Sequence, residues 1–185
     1  MRHLAEALRR DRARYATLGG WHRSLGFWIG ATYRFGAWSG GLRPALLRAP
    51  LLALYRVAKL PWKWALNVDI PANARIGPGL CLIHPRNVVL GPDVCIGENC
   101  LIFHEVTLAT GAVAGQPRIG NDVDIYVGAR VLGGIEVGDG SMIGANAVVT
   151  RSVPPGSVVV TAPSHILPRS LAPAARRGGK QRKDG

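Results

Sequence analysis

Ile119, Ile125, Val131, Val137, Ile143 and Val149 stand six residues apart without a break. About a quarter of the chain is Ile, Leu or Val, so six consecutive hits arise by chance about once in 3,000. A second column, Val123, Ala129, Ile135, Ser141, Ala147 and Val153, holds only small or aliphatic side chains. The register extends upstream through Ile70, Ile76 and Leu82, then Leu90, Ile96, Ile102 and Leu108, with a two-residue slip at Val88–Val89. A period of six matches neither the alternation of a flat strand nor the helical turn. It matches a hexapeptide solenoid, in which each hexamer is one short face and three faces close a coil around an aliphatic column. About thirteen hexamers predict roughly four coils. Gly120, Gly138 and Gly144 follow the aliphatic position, where a tight corner is expected to need a residue without a Cβ.

The rest of the chain divides around this region. Residues 1–66 form a basic front piece with helical spacing over 3–15, 22–38 and 43–60; Gly19-Gly20 ends the first segment and Pro61 is expected to stop the last. The repeat region is 67–167, and 168–185 is a Pro, Gly and basic tail expected to be disordered. "LATGAVAGQPRIG", 108–120, reads as a loop leaving the solenoid. Formal charge is +10 over residues 1–66, −3 over 67–168 and +5 over 169–185, which sums to the +12 of the whole chain. No nucleic-acid motif accompanies this charge, and a solvated or membrane-facing surface fits it better. Basic, Trp-rich amphipathic helices either lie on an anionic membrane or pack on protein. Charged residues fill the start where a signal peptide would be apolar, and no apolar run is long enough to span a bilayer. Cys81, Cys95 and Cys100 form no CxxC pair, which points to reduced, packed thiols and to a cytoplasmic protein without metal, with peripheral membrane contact open to its basic helices.

The chemistry-bearing residues fall early in the repeat. "DIPANARIGPGLCLIH" runs from Asp69 to His84, fifteen residues apart. A coil of three hexamers is about eighteen residues, so the two sit on adjacent coils that stack at about 4.8 Å. A carboxylate on one ring nitrogen leaves the other free to act as a base toward an alcohol. Asp69 as an end residue and His84 as an ordinary turn histidine is the plainer alternative. His104 lies twenty residues beyond His84, one coil plus the slip, and should stack beside it.

"VDIPANARIGPGLCLIH", "VVLGPDVCIG", "VTLATG" and "IGANAVVTRSVPPGSVV" resemble serine acetyltransferase, within the hexapeptide-repeat acyltransferases. The resemblance implies a left-handed parallel β-helix, mainly β, preceded by a small α-helical region and assembled as a homotrimer. It implies a catalytic base at His84, a dyad partner at Asp69, and acetyl-CoA as donor. The donor would lie in a groove along the C-terminal coils, with Gly128, Ala129, Ala145 and Asn146 as contacts. "GFWIGATYRFGAW", 26–38, resembles the helix before the family's β-helix, and Asp11 falls where the family has an acid that helps hold serine.

The sequence departs from the pattern at the acceptor. The family's acid before the catalytic His is Ile83, and its loop Arg-His pair is replaced by Gly115 and Gln116, leaving Arg118 as the nearby cation. The expected acceptor contacts are therefore Asp11, His104, Gln116 and Arg118, with L-serine as acceptor. A sugar hydroxyl in surface polysaccharide synthesis is the alternative. A zinc carbonic anhydrase on the same solenoid would need a His-x4-His pair, which is absent; a non-catalytic scaffold would not bind acetyl-CoA. The chain ends Asp-Gly rather than Ile, so the complex with cysteine synthase is not expected.

Overall fold

The computed structural model describes residues 2–16 and 19–162; the predicted tail, and the end of the repeat region at Leu167, lie outside them. Among these residues thirteen short strands of two or three residues form three parallel sheets, the faces of a β-helix. The first face stacks β1 (Arg75–Ile76), β4 (Cys95–Ile96), β7 (Arg118–Ile119) and β10 (Glu136–Val137). The second stacks β2 (Cys81–Leu82), β5 (Leu101–Ile102), β8 (Asp124–Ile125), β11 (Met142–Ile143) and β13 (Val158–Val159). The third stacks β3 (Val89–Leu90), β6 (Thr107–Ala109), β9 (Arg130–Leu132) and β12 (Val148–Val149).

The sixfold column is the core. Leu82, Ile102, Ile125 and Ile143 stack on the second face, each at most 1% exposed. The second column is buried beside it, including Ser141, whose hydroxyl donates to Pro154 O at 3.0 Å and accepts from Ser157 N–H. Gly120, Gly138 and Gly144 have no positive φ, so the expected reason for them needs correcting. A methyl at Gly138 would run into the Pro155 backbone of the next coil, and one at Gly144 would lie 2.7 Å from Val159 O. Coil-to-coil approach, rather than backbone conformation, excludes a side chain there. The left-handed positions of the β-helix are instead shared between Asn or Asp, at Asn87, Asp93, Asn99, Asp122 and Asn146, and other glycines such as Gly79, Gly128 and Gly140.

Helices precede the β-helix: α1 (Arg2–Ala16), α2 (Leu25–Gly40), α3 (Ala45–Ala58) and α4 (Leu60–Leu66), with a 3-10 turn at Trp21–Arg23. Pro61 does not end the helical region as expected. It occupies the first turn of α4, where a missing N–H costs nothing.

These helices cap the open end of the β-helix. Alternate residues of the first coil bond to the second coil, as Arg75 N–H does to Val94 O at 2.8 Å. The residues between them turn their backbone outward and would be unpaired. Side chains from the helices satisfy them. Tyr33 Oη donates to Ala74 O at 2.7 Å and accepts from Ile76 N–H at 3.2 Å. Tyr15 Oη accepts from Leu82 N–H at 2.7 Å, and Tyr55 Oη donates to Ile70 O at 2.8 Å. Arg34 donates to Ile76 O and Gly77 O. Burial raises all three phenols above their ordinary range, Tyr55 up to about 12, so they stay protonated.

Candidate active site

The two-residue slip in the sequence is an enlarged corner. Four residues separate β1 from β2 and β5 from β6, whereas six, 83–88, separate β2 from β3. The extra length lets the corner bulge outward without shifting the core column, so Arg75 pairs with Cys95, twenty residues on. His84 sits in this bulge, exposed, in the left-handed conformation at φ 48°. The Asn87 N–H donates to Leu66 O at 2.9 Å, tying the corner to the end of α4. Asp69 N–H donates to Val88 O at 2.9 Å and Asp69 O accepts from Leu90 N–H at 3.0 Å. The Asp69 main chain thus braces the corner that carries His84.

The Asp69 carboxylate does something else. Lys59 Nζ lies 3.1 Å from Oδ1 and Lys63 Nζ 2.9 Å from Oδ2. Partial burial opposes its ionisation, but the two ammonium groups outweigh that and hold it below the usual carboxylate range. Among the described residues no hydrogen bond joins Asp69 to His84. The expected dyad is not assembled in the single chain, because two lysines of the helical region occupy the acid.

His84 opens onto a cavity of about 460 Å³ between the start of α2 and the enlarged corner, lined also by Arg23, Ser24, Gly26, Leu66 and Arg86. Neither guanidinium has an acidic partner among the described residues, so the pocket presents two free cations beside an imidazole. Sequence reading missed both arginines. The slip was the signal for Arg86, since it marks the corner, while nothing local to Arg23 marked it.

Above His84 the coils stack in register. Cys81 pairs with Leu101 and Leu82 with Ile102, which places His104 at the same corner as His84, one coil above. Its Nδ1 is buried without a partner. The same corner continues through Gly128, whose N–H donates to His104 O at 3.1 Å, and Asn146, whose N–H donates to Val127 O at 2.8 Å. Ala145 and Asn146 are exposed along this edge. Ala129 is not: at 0% exposure its methyl belongs to the core column, which corrects its assignment as a cofactor contact.

Asp11 is also corrected. It is 3% exposed, and both its oxygens are used inside the protein. Oδ2 and Oδ1 pair with Arg34 at 2.9 and 3.1 Å, and Oδ1 accepts from Gly79 N–H at 2.8 Å and Leu80 N–H at 2.9 Å. Asp11 belongs to the cap of the first coil and does not line the His84 cavity. Arg118 lies on the first face, where it approaches Glu136 at 3.8 Å and borders a separate cavity of about 840 Å³. Gln116 ends the protruding loop with Oε1 buried and unpaired, its amide packed against Gly91, where an added methyl would have to displace it. The loop leaves the corner between the third and first faces, so one chain does not bring Gln116 or Arg118 to His84. Among the described residues, no group of three or more His, Cys, Asp or Glu is placed to hold a metal ion, and no helix is long and apolar enough to cross a membrane.

Residues 116–151 match the family described as bacterial transferase hexapeptide (six repeats). A serine acetyltransferase of Mycobacterium tuberculosis is 43% identical over 107 residues, which are 56% of this chain and 47% of that protein. Among solved structures, serine acetyltransferase from Brucella abortus in complex with coenzyme A has a TM-score of 0.69 at 28% identity, covering 88% of this chain and 67% of the other. The Neisseria gonorrhoeae serine acetyltransferase in complex with serine has a TM-score of 0.68 at 27% identity, covering 86% and 67%. The chain spans about half the length of the curated relatives it matches. Its β-helix is similar in sequence and in fold to that of the serine acetyltransferases.

Proposed function

We propose that this chain transfers the acetyl group of acetyl-CoA to the hydroxyl of L-serine, with His84 as general base. The observation that carries this is the placement of His84 in a cavity with two unpaired guanidinium groups, on a corner stacked with His104, Gly128 and Asn146. The relatives support it: one solved serine acetyltransferase holds coenzyme A and another holds serine. The imidazole takes the hydroxyl proton as the oxygen attacks the thioester carbonyl. The tetrahedral oxyanion then collapses, the C–S bond breaks, and the thiolate leaves with the proton returned by the imidazolium. Arg23 and Arg86 replace the missing loop arginine as partners for the serine carboxylate, a charge-assisted contact that suits guanidinium. Asp69 is the carboxylate we assign to the charged ring, exchanging a lysine for the imidazolium as it forms. Acetyl-CoA would run along the Gly128, Ala145 and Asn146 edge. Gln116 and Arg118 would approach the site from a neighbouring copy, which is what a homotrimer supplies.

The test is thiol release from acetyl-CoA against L-serine, homoserine and free or nucleotide-linked sugars. Serine is expected to be turned over, and His84→Ala to lower kcat by about 10²–10⁴ with the melting temperature unchanged. Equal turnover by the His84 variant overturns the assignment of the base; turnover of sugar in place of serine overturns the acceptor, which the Gly115-Gln116 loop makes the specific alternative.

A further inference from the structure

Among the described residues, the outward face of α3 has no partner. Tyr55 is buried against the cap, and Leu51 and Leu52 are partly buried on the same side. The opposite side carries Leu46, Pro50, Ala53 and Val57 at helical spacing, flanked by Leu47 and Leu54, and all six are exposed. Leu46 is 91% exposed, Val57 62% and Leu54 55%, while Trp64 of α4 is 83% exposed. A contiguous apolar face of this kind marks a contact surface.

Charge says what covers it. Between Asp11 and Asp69 the chain has nine Lys or Arg and no Asp or Glu. Arg43 and Arg56 flank the face, and Lys63 adjoins Trp64. A second copy of the face would bring these cations against like charges. The chain beyond residue 162 offers no complement either, with six Lys or Arg against Asp184. An apolar stripe, an exposed Trp and an unopposed basic rim together match the headgroup zone of an anionic bilayer. The geometry points to α3 and α4 as a peripheral docking surface for anionic lipid, with Leu46, Leu54, Val57 and Trp64 inserted and Arg43 and Arg56 at the headgroups. None of these residues lines the His84 cavity, so docking and catalysis are separable.

The full chain is sedimented with vesicles of phosphatidylcholine, with and without phosphatidylglycerol, at low and high salt. Binding is expected only to the anionic vesicles and to fall with salt. Leu46→Gln and Trp64→Gln should each weaken it about tenfold, and Arg43→Gln and Arg56→Gln about fivefold each. Tryptophan emission of the unsubstituted chain should be quenched by brominated phosphatidylcholine placed in the same anionic vesicles, a readout that needs no variant. Absence of sedimentation or quenching with anionic vesicles overturns the proposal. So does a Leu46→Gln chain whose mass in sedimentation velocity drops while lipid binding is unchanged, because the face is then covered by a second copy.

Discussion

Asp11 shows how a single residue can match a family position and do different work. Its spacing to Gly26 suggested a serine contact, yet its carboxylate is enclosed by Arg34 and two backbone N–H groups. Removing one partner of a buried ion pair leaves the other charge uncompensated, at a cost of about 3–5 kcal/mol. Asp11→Ala is therefore expected to lower the urea midpoint steeply while the KM for serine in the folded fraction stays unchanged. A raised KM at unaltered stability would return Asp11 to the substrate. The sequence could place an acid on α1, but not the Arg34 beside it, because that pairing depends on how α1 and α2 cross. His84 was legible for the opposite reason: it lies inside the repeat, where position along the chain converts directly to position in space. Asp69 was legible as a neighbour of the corner, but not as the partner of Lys59 and Lys63, which come from outside the repeat.

At the scale of elements, the hexapeptide rhythm made the β-helix readable because each aliphatic residue answers to the one a coil below it. The rhythm also hid something. Gly138 and Gly30 are both glycines, but a methyl on Gly138 meets the Pro155 backbone, while one on Gly30 in α2 has nothing within 4 Å. Gly138→Ala is expected to destabilise by about 1–3 kcal/mol. Gly30→Ala is expected to stabilise by about 0.5–1 kcal/mol through helix propensity and a less free unfolded chain. Thermal melts of the two variants should shift in opposite directions; a shared direction would show that coil stacking is looser at Gly138 than the distances require. The helices were readable in outline, but their role was not. Three tyrosines spread over α1, α2 and α3 carry no period, and only the assembled end of the β-helix gives their hydroxyls a common purpose.

At the scale of the whole molecule, the helical cap and the β-helix are joined by charge as well as by hydrogen bonds. Asp69 ionises below its ordinary range when folded, so its contribution is fully present above the unfolded value of about 3.9 and fades as pH falls through the lower folded value. Because the pair is partly exposed, it contributes at most about 1 kcal/mol. The native chain should therefore lose more urea stability between neutral pH and pH below about 4 than Asp69→Asn does; identical pH profiles would mean that the lysines do not bind the acid in solution. The cap itself has a wider meaning. A stack of parallel coils with a bare edge is a template on which further coils can grow, and identical chains could add end to end into a fibre. By answering outward-facing amides and carbonyls from Ile70 to Leu82 with phenols, a guanidinium and a carboxylate, the front piece closes that pole, so the solenoid has a defined first turn and a finite length.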